Sequence, residues 1–160
     1  MQLSVVVDAI DRAILQELQR DGRLSNVALA ERVHLSPSAC LRRLKALEDA
    51  GVIRGYRAIL DRRKLGLDLT VFVEVEITRH EPQQAVEFQE AIANIDEIIS
   101  CHGIAGDFEY LLHVVVPNIA AYELLHLNTL ITLPGVSRVR SLIALRTFKE
   151  PGPLPLQSLR

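Results

Sequence analysis

Long hydrophobic runs are missing from this 160-residue chain. Stretches such as Val114–Val116 fall far short of the ~20 apolar residues that a membrane-spanning helix needs. The amino end, Met1-Gln2-Leu3-Ser4-Val5-Val6-Val7-Asp8, has neither the basic start nor the apolar length of a secretory signal. Cysteine is scarce, and Cys40 and Cys101 are too few and too far apart for a disulfide framework. The histidines, His34, His80, His102, His113 and His126, are scattered, with no pair at metal-ligand spacing with a cysteine. Cys101 and His102 are neighbours on an expected strand and point to opposite faces. A glycine-rich phosphate loop and a nucleophile elbow are missing too. These absences argue against a membrane protein, a disulfide-stapled domain and an enzyme. They leave a soluble, cytoplasmic protein with no catalytic residue and no metal or other cofactor.

What is present is ordinary globular composition with uneven charge. Apolar residues make up 49% and charged residues 24%, which excludes disorder and collagen-like repeats. The length suits one domain or two small ones. Residues 1–64 carry 12 basic and 8 acidic side chains, a net +4; residues 65–160 carry 6 and 12, a net −6. Charge divided in this way predicts two modules, the first with an anionic partner.

The first half reads as three short helices and a hairpin. Asp8 suits the N-cap of a helix from Ala9, where Ile10, Ile14 and Leu18 form one stripe and Gly22 offers a left-handed stop. A second helix starts at Ser25, with Leu24 and Leu29 placed as a hydrophobic staple. The third has the clearest start: Ser36 as N-cap, Pro37 at the first helical position, Gly51 at the end. A short turn between the second and third helices is the helix-turn-helix pattern. Val52-Ile53 and Tyr56–Leu60 then read as the two strands of a small wing.

At 100° per residue, Cys40, Leu41, Leu44 and Leu47 of the third helix face inward. Ser38, Ala39, Arg42 and Ala46 lie outward, with Arg43 and Lys45 on the shoulders. Small residues permit close approach, and guanidinium groups can fork onto guanine edges or phosphates. Arg54, Arg57, Arg62, Arg63 and Lys64 follow where phosphates of a bound duplex would lie. A merely solvated basic face is the alternative for these residues taken alone.

The second half reads as βαββαβ, the ferredoxin-like order. Val71, Val73, Val75 and Ile77 alternate with Thr70, Phe72, Glu74, Glu76 and Thr78, a half-buried strand. Pro82 opens a helix through Ala85, Phe88, Ile92 and Ile95. Strands over 98–104 and 110–116 flank a tight turn at Ala105-Gly106-Asp107-Phe108. Pro117-Asn118 starts a second helix, and Pro134-Gly135 turns the chain into a last strand over 136–148, with Val139, Ile143 and Leu145 on one side. Helices cover one face of such a sheet, so the other predicts self-association as a homodimer. Gly103 and Gly106 would let backbone approach a ligand, and Asp107 could pair with an ammonium group; an ordinary Gly-Asp turn is the alternative.

Two stretches carry a family resemblance. Gly22-Arg23-Leu24-Ser25-Asn26-Val27 through Leu35-Ser36-Pro37-Ser38-Ala39-Cys40-Leu41-Arg42-Arg43-Leu44, with Glu48 and Gly51-Val52-Ile53, resembles the amino-terminal domain of the Lrp/AsnC (feast/famine) regulators. Cys101-His102-Gly103-Ile104-Ala105-Gly106-Asp107-Phe108-Glu109-Tyr110-Leu111-Leu112 resembles that family's effector motif, and Leu133-Pro134-Gly135-Val136 its last turn. The likeness runs from Asp8 to Lys149 and is nearest the leucine-responsive branch. It implies an α+β chain, a winged helix-turn-helix followed by a ferredoxin-like effector and dimerisation domain. It also implies double-stranded DNA and an amino-acid effector as partners, and homodimers building octamers or similar rings. Two residues depart from the pattern: His34 stands where the family usually has glycine, which predicts a mildly strained left-handed turn, and Ala39 stands where proline is common.

The chain accordingly divides into residues 1–54, a winged helix-turn-helix; 55–66, a strand linker; 67–150, the effector and oligomerisation domain; and 151–160, a proline-rich tail expected as an extended arm. Expected DNA-binding residues are Ser36, Ser38, Ala39, Arg42, Arg43, Lys45, Arg54 and Arg57. Expected effector-binding residues, which the resemblance places at a dimer interface, are Gly103, Ile104, Ala105, Gly106, Asp107 and Ser137. A small-molecule-binding or catalytic ferredoxin-like domain with a docking module is the rival class. Eight Lys/Arg against three Asp/Glu within residues 42–64 favour DNA over protein docking. A DNA-compacting protein without effector control is the milder variant.

Overall fold

Asp8 starts the first helix with a reciprocal cap. Its carboxylate accepts from the Asp11 N–H at 2.8 Å, while the Asp11 carboxylate accepts from the Asp8 N–H at 3.2 Å. The resulting helix, α1, spans Ala9–Arg20. In this computed structural model, residues 7–78 and 82–158 are described. They form two compact units, residues 7–59 with 149–158, and residues 60–148.

The stop of α1 differs from the expected glycine signal. Asp21 leaves the helix in an extended conformation, φ −144° and ψ 96°. Its carboxylate accepts from the Arg23 N–H at 2.9 Å, and Gly22 is not among the positive-φ glycines. An Asx-type turn thus ends the helix, and no left-handed residue is needed.

Helix α2, Asn26–Arg32, is capped by Ser25, whose hydroxyl accepts from the Ala28 N–H. His34 makes the reversal at φ 56°, the strained left-handed turn that the family resemblance implied. Helix α3, Pro37–Asp49, is capped by Ser36 and followed by Gly51 at φ 70°. Ile14, Leu29, Ala30, Cys40 and Leu47 form the buried centre. Leu41, expected inward, is 41% exposed. Cys40, Leu44 and Leu47 lie within about 60° of one another around the helix, and Leu41 sits roughly 90° off their mean, on the shoulder.

The two wing strands do not pair. The Val52 and Ile53 N–H groups both donate to the Leu47 carbonyl, at 3.0 and 3.1 Å. Those donors are spent closing α3, so none is left for a ladder there. Residues 54–60 run as irregular chain, with no strand assigned.

The second unit is an antiparallel sheet of β1 (Leu69–Ile77), β2 (Ile98–Gly103), β3 (Tyr110–Val116) and β4 (Val136–Ile143), in the order β2-β3-β1-β4. Helices α4 (Pro82–Ile92) and α5 (Ile119–Asn128) complete the βαββαβ order. Val71, Val73 and Val75 of β1 are fully buried, as are Leu112, Val114 and Phe88. Burying a side chain of that class contributes about 1.5–3 kcal/mol. The last strand ends at Ile143, five residues before the expected end, and Leu145 is 97% exposed. Only the Ala144 N–H, donating to the Thr70 carbonyl at 3.0 Å, carries the pairing further.

Register places a second set of residues on the sheet's other face. Phe72 lies opposite His113 and Leu142, Glu74 opposite Leu111 and Arg140, and Glu76 opposite Arg138. The Phe72 and His113 rings stack at 4.8 Å.

Candidate nucleic-acid interface and effector site

Helix α3 presents one strip outward. Ser36, Ser38, Arg42, Lys45 and Ala46 are exposed, and Ala39 is half-buried. Arg42 and Lys45 make no hydrogen bond or ion pair among the described residues, so both cations face solvent. The start of the strip is braced: Asn26 donates its Nδ2 to the Pro37 carbonyl at 2.8 Å, and the Ser36 and Ser38 hydroxyls lie 3.2 Å apart.

Arg43 is placed differently from its neighbour. Its guanidinium donates to Asp8 at 2.7 Å and Asp11 at 2.8 Å, and its side chain is 29% exposed. Those carboxylates raise the Arg43 pKa. The Asp11 backbone N–H, followed by Arg43, holds the Asp8 carboxyl below its ordinary range. One arginine of the adjacent pair therefore ties α3 to α1, and the other is exposed. Nothing in a run of two arginines separates these roles; the signal lay in Asp8 and Asp11, acidic residues one turn apart near the N-terminus of α1.

Arg54 and Arg57 are exposed on the irregular segment. The Tyr56 hydroxyl between them donates to Glu48 at 3.0 Å, anchoring the segment to the end of α3. Burial, aided by the Glu48 carboxylate, pushes the Tyr56 phenol up to about 12. Arg62, expected near phosphates, is occupied within the second unit. It donates to the Leu67 and Asp68 carbonyls and to Thr147 Oγ1, at 3.1–3.3 Å.

Gly103, Ile104, Ala105, Gly106 and Asp107 share one end of the sheet. The β2–β3 connection is wider than a tight turn: the Ile104 N–H donates to the Glu109 carbonyl at 2.8 Å, enclosing residues 105–108. Gly106 takes φ 151°, a conformation side chains resist. The connection is clamped to β1, because the Glu109 N–H donates to the Val75 carbonyl and the Glu109 carboxylate accepts from the Ile77 N–H, both at 3.1 Å. Ser137, at the start of β4, donates to the Glu76 carbonyl at 3.1 Å, so it belongs to the same sheet end.

Sequence reasoning missed the charged shelf beside this loop. Phe108 is 5% exposed, with the Arg138 and Arg140 guanidinium carbons 4.5 and 4.7 Å from its ring centroid. Arg138 pairs with Glu76 at 2.8 Å and Arg140 with Glu74. Glu74 raises the Arg140 pKa, and the nearby negative charge of Asp107 adds to the shift. The alternation of β1 and β4 held the signal, since Glu74 and Glu76 share a face, as do Arg138 and Arg140.

Residues 70–154 match the family described as the Lrp/AsnC ligand binding domain, and residues 7–54 match a winged helix-turn-helix DNA-binding family. This chain belongs to the Lrp/AsnC family. It is 43% identical over 152 residues to the leucine-responsive regulatory protein of Escherichia coli (strain K12), covering 95% of this chain and 93% of that one. A transcriptional regulator from Neisseria meningitidis in complex with L-methionine superimposes with a TM-score of 0.90 at 40% identity, covering 94% and 97% of the two chains. A feast or famine regulatory protein from Mycobacterium tuberculosis complexed with L-methionine gives 0.82 at 36% identity, covering 91% and 96%. The Lrp/AsnC chain described here is thus a DNA-binding transcriptional regulator with a ligand-binding second domain. Its curated relatives are regulators rather than enzymes. No helix among the described residues is long and apolar enough to cross a membrane.

Proposed function

We propose that the exposed strip of α3 enters the major groove, with Ser36, Ser38, Ala39, Arg42 and Lys45 at the DNA and Arg54 and Arg57 on flanking phosphates. Arg43 acts as a positioning residue, holding the angle between α3 and α1. One observation supports this reading above the rest: Arg42 is exposed and uncommitted on the second helix of a helix-turn-helix, beside an arginine that is committed. A solvated surface helix gives no reason for that division.

The second domain takes an amino acid at the Gly103–Asp107 loop. Backbone N–H groups around Gly103 and Gly106 receive the carboxylate, Asp107 receives the ammonium, and Ser137 lies on the facing side. Two copies pair through the sheet face that carries Phe72 and Leu142, placing the loop at their interface, and dimers build a larger ring of octamer type. The chain acts on the nucleoid by binding, not by catalysis.

Selection from random DNA, with and without each of the twenty amino acids, defines the operator and the effector together. On the selected site Arg42→Ala is expected to cost about 1–3 kcal/mol, roughly 5- to 150-fold, with relaxed preference at one base position. Full affinity and full selectivity in that variant would remove Arg42 from the interface.

A further inference from the structure

The proline-rich tail is held at a particular place on the first unit. The Gln19 side-chain amide donates from Nε2 to the Leu154 carbonyl at 3.3 Å, and its Oε1 accepts from the Leu154 N–H at 2.6 Å. An amide that gives and accepts on the main chain of a single residue copies one rung of a β-ladder. It recognises extended backbone. Beside it, Leu154 and Leu156 border a cleft of about 850 Å³ whose other walls include Leu15, Leu18, Ile53 and Tyr56.

The tail has the chemistry of a peptide ligand. Pro151, Pro153 and Pro155 fix φ at alternate positions, so the segment is extended before it docks and loses little entropy on docking. The Leu156 N–H folds back onto the Leu154 carbonyl at 2.9 Å, a three-residue turn that places Leu156 at the cleft. Leu156 is half-buried while Leu154 is 72% exposed, which makes Leu156 the apolar anchor and Leu154 the backbone contact.

We infer that this cleft is a binding site for a proline-spaced, leucine-bearing extended peptide, with residues 151–156 of the same chain as its resident ligand. Alternating small pockets for side chains with backbone hydrogen bonds is a general way of holding such segments. The chain leaves the first unit after Ile59 and returns to it at Lys149, so the DNA-binding unit is joined to the amino-acid-binding unit at two points of the chain. Release of the tail removes one of them and opens the cleft that Ile53 and Tyr56 also line.

Leucine-methyl NMR on the intact chain tests this, with Leu156→Asp used to eject the tail. In that variant the Leu15 and Leu18 methyl signals are expected to move. A free peptide spanning residues 150–157 should return them saturably at millimolar concentration or below. The same peptide carrying Leu156→Asp should bind at least tenfold more weakly. Adding Gln19→Ala to the receiving chain should weaken the unmodified peptide at least fivefold. Unmoved Leu15 and Leu18 signals, a peptide that fails to saturate, or equal binding to the Gln19→Ala chain would each overturn the site. Mixing labelled Leu156→Asp chains with unlabelled wild-type chains decides whose tail is resident. Restored signals in that mixture would assign the ligand to a second copy and overturn the same-chain assignment.

Discussion

His34→Gly should stabilise the first unit, and the reason is confined to one dihedral angle. His34 sits at φ 56°, the sole non-glycine positive φ among the described residues, in the turn between α2 and α3. Holding an L-residue left-handed costs roughly 1–2 kcal/mol, because its Cβ crowds the following carbonyl. Glycine removes that term but gives back about 0.5–1 kcal/mol through the extra freedom of its unfolded chain. With both terms at mid-range the difference is a net gain of about 0.75 kcal/mol. For a unit of some 60 residues that corresponds to a melting point higher by about 2–8 °C. Equivalently, amide exchange at the buried Ile14, Leu29 and Cys40 slows about 2- to 5-fold where it proceeds by unfolding of the unit.

His34→Ala is the control. It deletes the exposed imidazole but keeps Cβ, so it should stay within about 0.5 kcal/mol of the parent. Exchange in the 60–148 unit reports on a different core and should not change. Equal gains from alanine and glycine would place the effect in the imidazole and refute the backbone account. A loss of stability in His34→Gly would refute it more directly.

Three other perturbations address the remaining assignments. Arg57→Ala should weaken binding to every DNA sequence alike and reduce the salt slope by about one; an unchanged slope in gel-shift titrations would take Arg57 off the phosphates. Asp107→Ala should abolish or sharply weaken amino-acid binding in calorimetry while DNA affinity without effector is retained; wild-type ligand affinity would remove Asp107 from that role. Acid should loosen the first unit through Asp8 and Glu17, whose folded pKa values lie below their ordinary ones because of backbone and arginine hydrogen bonds. A depressed folded pKa gives stability that is complete above the unfolded value and lost as pH falls through the folded one. The loss should therefore set in below about pH 4, and Asp8→Asn should flatten it in pH-dependent melting; an unaltered acid profile would deny Asp8 that part.

Local rules were enough for most elements. Asp8, Ser25 and Ser36 announced three helix starts because a side-chain oxygen within three residues satisfies an orphan amide. The alternation of Val71, Val73 and Val75 marked β1 because burial on one sheet face repeats every second residue. Ends were less legible. Gly22 offered a stop that Asp21 had already made, and Val52 and Ile53 looked like strand until the Leu47 carbonyl took both of their amides.

By itself, then, the sequence determined the order of helices and strands and the place of the Gly103–Asp107 loop. Each depends on dihedral preferences, hydrogen bonds or side-chain periods that reach only a few residues. Tertiary structure alone decided that Arg43 serves Asp8 and Asp11 while Arg42 meets no partner among the described residues, that Glu74 meets Arg140, and that Gln19 holds Leu154 from 135 positions away. Coulomb and hydrogen-bond energies depend on distance through space, which residues far apart in the chain acquire only when the core brings their backbones together.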